Sequence, residues 1–260
     1  MYEDFEIKTS YKYLKEVINS LKEPICILGG WAVFFQVNIN FQKAQGRPYL
    51  GSRDIDLGFN IKLDISDDNL KKSSVIQSIN ILKKLKFKPL SFRLFKEVHT
   101  ETEEEIQEGQ IVPAHFIFPM YVDVIIDNIS KNFKKIAGFN PIDEPLLRFV
   151  FENEKYCSLV KEFDKKLLLP SPELLLAMKI NSLPNRSKAH KKVKDICDAF
   201  SLIWYSSINT EEIRITLLEL TTEKRINICL KSITLEDLQK ASAQINHSVD
   251  EIKRVLDLLK

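Results

Sequence analysis

Two aspartates separated by one residue, Asp54 and Asp56, have the spacing that metal chemistry favours. They lie in the stretch 53–59, where apolar residues occupy every second position. Such alternation predicts a strand, and because successive side chains of a strand point to opposite faces, both carboxylates share one face. Neighbouring like charges repel unless a cation compensates, and carboxylate oxygens are ligands that Mg²⁺ prefers. The spacing therefore predicts a divalent-metal site on this strand.

A glycine pair, Gly29-Gly30, follows the short apolar run Ile25–Leu28 and precedes a stretch that predicts a helix. A glycine turn at a helix N-terminus is suited to holding phosphate, because backbone N–H groups and the helix dipole both favour an anion there. Five of the seven glycines in the chain fall within thirty residues: Gly29, Gly30, Gly46, Gly51 and Gly58. This concentration predicts one unusual backbone region, and a set of tight turns is the alternative explanation.

A third carboxylate, Asp123, stands in the strongly apolar run 121–126. Buried acids are rare unless they are paired or bind metal, so Asp123 is a candidate ligand. An aspartate at a strand end that faces water is the alternative. Three carboxylates on adjacent strands would form a two-metal site for in-line nucleotidyl transfer.

A basic stretch occupies residues 186–194, where five lysines and arginines crowd nine positions. Helical spacing places Lys191, Asp195 and Asp198 on one face. The stretch either faces a phosphate-bearing substrate or is a solvated helix face.

The composition is that of a globular protein. The chain has 260 residues, of which 44% are hydrophobic and 28% charged, and its net charge is about +2, which excludes a protein coated for unselective nucleic-acid binding. The four cysteines are dispersed and form no metal-ligand pattern, which is typical of a reducing compartment. With no signal peptide and no membrane span expected, the protein is predicted to be cytoplasmic, without a membrane partner.

Element patterns predict an α/β part followed by a helical part. The expected N-terminal elements are helices over 11–21, 31–37 and 69–85, strands over 25–28, 53–59, 90–98, 111–118 and 120–126, a loop over 38–50 and a short helix near 146–151. Asp67 is the expected cap of the helix over 69–85. From Pro170 onward the pattern is helical to the end, with capping boxes at Thr234 and Ser248. We therefore expect domains over 1–170 and 171–260.

The glycine pair before a helix, the Asp54-x-Asp56 strand and the single acidic residue Asp123 together resemble the polymerase-β-type nucleotidyltransferases. Gly29-Gly30-Trp31-Ala32 and the segment from Arg47 to Leu57 resemble most nearly the AbiEii/AbiGii toxin-type family. The resemblance covers residues 20–205. It implies a mixed sheet with flanking helices in the nucleotidyltransferase domain, followed by a C-terminal helical bundle that closes the active-site cleft.

The resemblance also implies roles for individual residues. Gly29 and Gly30 would line the triphosphate, Asp54 and Asp56 would hold two Mg²⁺ ions (or Mn²⁺), and Asp123 would hold the catalytic metal and help to activate the incoming hydroxyl. Members of the wider superfamily often have serine after the first glycine motif. This chain has Trp31 there, so phosphate contact falls to the backbone, with Trp31 as a core anchor.

Further residues enter through the same resemblance. Lys179 would meet the nucleotide phosphates and Asp195 would orient a cation or assist catalysis. The remaining implied contacts to the nucleotide are those of Ser52, Arg53, Lys191 and Lys194. The alternative for Lys179 is a side chain that extends along the surface to reach water.

The predicted function is a magnesium-dependent nucleotidyltransferase that moves a nucleoside monophosphate from an NTP to an acceptor hydroxyl. The acceptor is an RNA such as tRNA or a protein, and the setting is a toxin with a cognate antitoxin. Two alternatives stay open at this point: an adenylyltransferase that modifies aminoglycoside or lincosamide antibiotics, and a non-catalytic nucleotide-binding module.

Overall fold

The alternating stretch around Asp54 forms an inner strand of a mixed sheet in the computed structural model, which describes residues 3–260. The strands are β1 (Ile25–Leu28), β2 (Asp54–Phe59), β3 (Lys88–Leu90), β4 (Arg93–His99), β5 (Ile117–Ile126), β6 (Ile142–Asp143), β7 (Cys157–Leu159) and β8 (Leu167–Pro170). Their order is β3-β4-β5-β2-β1-β8-β7, and β6 pairs with β5. β2 runs parallel to β5 and antiparallel to β1.

Helices precede, interrupt and follow these strands. They are α1 (Asp4–Ser20), α2 (Gly29–Gln45), α3 (Asp67–Lys71), α4 (Ser74–Lys84), α5 (Phe133–Ala137), α6 (Arg148–Glu152), α7 (Pro172–Ser182), α8 (Ala189–Tyr205), α9 (Ile213–Leu220), α10 (Glu223–Ser232), α11 (Leu235–Ile245) and α12 (Val249–Leu256). The predicted mixed α/β fold, with a helical C-terminal part, is confirmed. None of the helices described for residues 3–260 is long and apolar enough to cross a membrane.

The chain divides into two compact units. The sheet unit comprises the described residues up to Trp31 together with Gly51–Leu169, and the helical unit comprises Ala32–Leu50 and Pro170–Lys260. The expected division at residue 170 assigned 32–50 to the first domain, whereas here this segment groups with the C-terminal helices.

The core of the sheet unit follows from the alternation in β2. Ile55, Leu57 and Phe59 are fully buried, as expected for the apolar face of that strand. Trp31 is also buried, and its indole nitrogen donates a hydrogen bond to Ser10 Oγ at 3.1 Å. Its expected role as a core anchor is therefore confirmed.

The loop predicted over 38–50 is wrong for most of its length, because α2 continues to Gln45. Val37 and Phe41, one helical turn apart, are fully buried, and the Phe41 ring packs against the Tyr49 ring at 5.0 Å. Asn38 is tolerated in the helix because its side-chain oxygen accepts a hydrogen bond from the Tyr49 backbone N–H at 2.9 Å. Gly46, at φ +68°, lies just beyond the end of the helix.

Three other expected boundaries differ. The helix over 69–85 is two helices, α3 and α4, because Ser66 and Ser73 each cap a separate N-terminus, so the cap is not Asp67. The strand over 90–98 is a hairpin of β3 and β4, which turns at Ser91 (φ +57°).

The strands predicted over 111–118 and 120–126 correspond to one strand, β5, which begins only at Ile117 and includes Pro119. The prediction is wrong for 111–116, where residues 114–116 form a 3₁₀ helix. Proline is acceptable there because pairing of β5 with β2 begins only at Tyr121, so one edge of β5 at Pro119 lies outside that pairing. The short helix near 146–151 and the capping boxes at Thr234 and Ser248 are confirmed.

Candidate functional site

The three predicted carboxylates lie on neighbouring strands of the sheet unit. Asp56 of β2 is the register partner of Asp123 of β5, and Asp54 lies two residues earlier on the same face of β2. Asp54 is 8% exposed and Asp123 is 5% exposed, while Asp56 is half-buried. The structure therefore brings all three residues, hereafter the carboxylate site, to neighbouring positions on adjacent strands.

Gly29 packs directly against the carboxylate site. It has φ +60°, and a Cβ atom placed on it would lie 1.7 Å from Asp56 Oδ2. Glycine is needed at this position for two reasons, the left-handed backbone and the carboxylate in contact with it. Since Gly29 is also the first residue of α2, Asp56 lies at the N-terminus of a 17-residue helix, where a negative charge is favoured. The glycine motif and the Asp-x-Asp motif thus belong to one site.

Arg93 is a member of this site that the sequence did not reveal. It is the register partner of Asp123 across β4 and β5, and its Nη2 atom lies 2.7 Å from Asp123 Oδ2 and 4.0 Å from Asp54 Oδ2. Its guanidinium carbon stacks 4.4 Å from the centre of the Tyr121 ring and 4.9 Å from that of Phe92. No local motif marks Arg93, because its place depends on strand register between distant segments.

The residue types at the carboxylate site fit a magnesium site, because carboxylate oxygens are the hard ligands that Mg²⁺ takes. The side chains as they stand are not arranged as one. Within residues 3–260 no group of three or more His, Cys, Asp or Glu residues is poised to hold a metal ion. Instead, the guanidinium of Arg93 supplies positive charge to Asp123.

Ser52 and Arg53 have contacts within the sheet unit. The buried Ser52 hydroxyl donates to the backbone oxygen of Asp54 at 2.9 Å and so supports the start of β2. The Arg53 guanidinium forms an ion pair with Glu6 of α1 at 3.2 Å and lies over the Phe118 ring at 5.1 Å. These contacts give both residues a structural role, and their expected contacts to the nucleotide stay predictions.

The helical unit contains a second charged group, hereafter the lysine–aspartate cluster, in which cations and anions alternate. Lys179 of α7 donates from Nζ to Asp195 Oδ1 at 2.6 Å and to Asp198 Oδ2 at 2.7 Å. Lys194 donates to Asp198 Oδ1, which also accepts a hydrogen bond from the Tyr49 hydroxyl at 2.7 Å. At the edge of the cluster, Arg186 donates from Nε to Asp195 Oδ2. Each carboxylate oxygen of Asp195 and Asp198 therefore has a cationic partner.

Electrostatics in the cluster favour the charged forms of Lys179 and Asp198 and the neutral form of Tyr49. Burial by itself would lower the pKa of Lys179, but Asp195 and Asp198 raise it above its ordinary value. Burial by itself would raise the pKa of Asp198, but Lys179 and Lys194 lower it below its ordinary value. The pKa of the Tyr49 hydroxyl is raised, first by burial and then by the charge of Asp198. All three groups therefore keep their usual ionisation at neutral pH.

The lysines and the arginine that were candidates for substrate contact differ in their burial. Lys179, only 8% exposed, does not extend to water as the alternative held, and Lys194 is also buried. Lys191 lies half-buried on α8, while Arg186 is exposed. The alternative of a solvated face for 186–194 is wrong for Lys194 because that residue is held by Asp198.

No protein-family model and no curated protein sequence matches the chain. Among solved structures, the crystal structure of an antigenic nucleotidyltransferase-like protein from Paracoccidioides brasiliensis is similar to 88% of this chain, over 93% of its own, with 19% sequence identity and a TM-score of 0.37. A similarity this loose does not assign the chain to a family. The case for a function rests on the carboxylate site.

Proposed function

We propose that the protein is a magnesium-dependent nucleotidyltransferase that transfers a nucleoside monophosphate from an NTP to an acceptor hydroxyl. The observation that carries this proposal is the register of Asp56 with Asp123, with Asp54 on the same face and Gly29 of the α2 N-terminus packed against Asp56. Carboxylates at adjacent positions of parallel strands repel one another, and a site that binds divalent cations gives that arrangement a purpose.

Each of the three carboxylates has a part in the proposed reaction. Asp54, Asp56 and Asp123 would hold two Mg²⁺ ions, which neutralise charge that develops on the triphosphate. The acceptor oxygen bonds to the α-phosphorus as the bond from that phosphorus to the β-phosphate bridging oxygen breaks, and pyrophosphate leaves. The proton of the acceptor hydroxyl passes to a carboxylate, and the proposed proton acceptor is Asp123. Catalysis then comes mainly from positioning and charge, as in phosphoryl transfer generally.

The α2 N-terminus suits the triphosphate. Backbone N–H groups in the first turn of a helix have no partner within the helix. They point outward from the helix N-terminus, where they can donate hydrogen bonds to an anion. Gly29 and Gly30 allow close approach, and because the Trp31 side chain is buried on Ser10, the contact falls to the backbone. In this proposal the lysine–aspartate cluster stabilises the helical unit, and Lys179 contributes through its hydrogen bonds to Asp195 and Asp198.

For the acceptor we propose the hydroxyl of an RNA such as tRNA, in a toxin opposed by an antitoxin. Arg186 and Lys188 are exposed in the segment just before α8, where positive charge favours a phosphate backbone. A protein hydroxyl is the other outcome that the experiment below detects.

The test is transfer of label from each α-labelled NTP, in Mg²⁺, to total tRNA and to protein. Wild-type protein is compared with Asp54→Asn/Asp56→Asn, and with Glu97→Gln, which removes an exposed carboxylate from β4. We expect the double variant to lose at least about 10³-fold in rate, and Glu97→Gln to keep the wild-type rate. Equal labelling by wild type and the folded double variant would overturn the proposal.

One observation favours a second candidate, a module that binds nucleotide without turnover. The contact of Arg93 with Asp123 gives the carboxylate site a protein cation of its own. Equilibrium dialysis with a non-hydrolysable NTP separates the two. Saturable Mg²⁺-dependent binding, without label transfer to any acceptor, would favour the binding module.

A further inference from the structure

Arg93 is a charged side chain beside the carboxylate site to which the proposed reaction assigns no use. Its side chain is 16% exposed, and the side chains of Asp123 and Asp54 that it approaches are 7% and 11% exposed. Contacts between charged groups this well shielded from water are stronger than those on the surface. The contact with Asp123 is therefore a substantial part of the electrostatics of the site.

We infer that Arg93 is the internal counter-ion of the carboxylate site, and that a divalent cation binds Asp123 only by displacing its guanidinium. Arg93 acts as a positioning residue, and it sets the affinity of the site for the cation. The inference rests on the proposed function, because it takes Asp54, Asp56 and Asp123 as the cation ligands. It follows from the shared atom: Asp123 Oδ2 accepts the hydrogen bond from Arg93 at 2.7 Å.

Two features make Arg93 suitable for this exchange. Its strand position is fixed by pairing with Asp123, so the guanidinium cannot drift far from the site. The Tyr121 and Phe92 rings hold the guanidinium through cation–π contacts that do not involve Asp123. When Arg93 gives up the carboxylate, these rings still provide a favourable place for its charge. The exchange therefore costs less free energy than leaving the buried guanidinium without any partner.

The experiment measures Mn²⁺ binding without turnover, from the loss of the free Mn²⁺ electron paramagnetic resonance signal. Mn²⁺ takes the same oxygen ligands as Mg²⁺. Arg93→Gln is compared with wild type and with Lys88→Gln, which also removes one positive charge but breaks only the exposed ion pair with Glu108. Asp54→Asn/Asp56→Asn defines the background.

We expect Arg93→Gln to bind Mn²⁺ about tenfold more tightly than wild type, because cation binding no longer breaks a charge-assisted hydrogen bond. Lys88→Gln, at an exposed position, is expected to change the dissociation constant by less than about twofold. The melting temperature provides a second measurement. Without metal, Arg93→Gln should melt below wild type, and saturating Mn²⁺ should raise its melting temperature more than that of wild type.

The outcomes separate the two proposals. If wild type and Arg93→Gln bind Mn²⁺ with equal affinity, or the variant binds more weakly, the counter-ion inference is wrong while the metal site stands. If neither binds above the background of the double variant, the metal site itself is wrong and the inference fails with it. Should Arg93→Gln not fold, Arg93→Lys replaces it. Lysine keeps the charge but not the planar contact, so binding about twofold to threefold tighter is expected, and unchanged or weaker binding overturns the inference.

Discussion

The carboxylate site of the sheet unit and the lysine–aspartate cluster of the helical unit use the same residue types in opposite ways. In the carboxylate site an acid is the register neighbour of another acid, Asp56 beside Asp123. In the cluster every acid lies against a base, and Lys179 bridges Asp195 and Asp198. Like charges side by side cost stability unless something else is gained, whereas alternating charges compensate one another.

Comparison of the two groups shows which property distinguishes a group of charges suited to chemistry from a structural one. Burial does not separate them, because Asp123 at 5% exposure and Asp195 at 2% are nearly alike. What separates them is the balance of charge. In the carboxylate site, Arg93 contacts Asp123 and approaches Asp54 within a group of three acids. The two acids of the cluster contact three cations, namely Lys179, Lys194 and Arg186. We therefore expect changes in the cluster to act on stability, and changes in the carboxylate site to act on catalysis and cation binding. Substitutions in the two groups test that separation.

The largest effect on stability is expected for Lys179→Met. The substitution leaves Asp195 and Asp198 buried without their shared cation, which should lower the free energy of unfolding by about 3–5 kcal/mol. Lys240→Met, which breaks an exposed pair with Glu236 on α11, should cost less than about 0.5 kcal/mol. Urea unfolding followed by circular dichroism measures both. Equal effects of the two substitutions would mean that the cluster does not stabilise the helical unit.

A smaller, pH-dependent effect is expected for Asp198→Asn. The pKa of Asp198 is lowered in the folded protein, so its charge contributes stability above its ordinary pKa, and that contribution is lost as the pH falls through the folded value. The difference in unfolding free energy between wild type and variant should therefore be greatest near pH 7 and shrink below about pH 4. Urea titrations at several pH values measure it. A difference that stays constant with pH would contradict the assignment of the charge.

Gly29→Ala is expected to act on both stability and transfer. Alanine at φ +60° is strained, and its Cβ would also collide with the Asp56 carboxylate, which must move. The matched control is Gly46→Ala, at φ +68° with open space around it, which carries the backbone strain alone. We expect about 1 kcal/mol for the control and roughly 1–2 kcal/mol more for Gly29→Ala, with a loss of label transfer of about 10²-fold in Gly29→Ala only. If the two variants behave alike, Gly29 does not position Asp56.

The smallest effect is expected for Tyr49→Phe. The variant loses the hydrogen bond to Asp198, whose carboxylate keeps Lys179 and Lys194 as partners. We expect about 1 kcal/mol of lost stability and an unchanged rate of label transfer. Thermal unfolding and the transfer assay measure the two quantities, and a fall in rate in the stably folded variant would place Tyr49 in the chemistry.

Local pattern was sufficient for much of the fold and for the centre of the site. The alternation of period two around Asp54 and Asp56 was enough to predict β2 and its polar face. The capping boxes at Thr234 and Ser248 were enough to predict where α11 and α12 begin. Local pattern failed where packing overrode composition, as in α2. Its second half contains two asparagines, a composition that predicts a loop, yet burial of Phe41 and the hydrogen bond of Asn38 hold it helical.

Local sequence is sufficient to predict which residues share a face or a helix turn, because those relations depend only on the backbone repeat of a strand or a helix. It is therefore sufficient for the shared face of Asp54 and Asp56 and for the helical character of the C-terminal part. Which distant residues meet depends on the tertiary fold. Strand register brought Arg93 to Asp123, and packing of α7 on α8 brought Lys179 to Asp195 and Asp198. Local spacing does not predict contacts between residues distant in sequence, because strand register and helix packing are set by the burial of whole elements against one another.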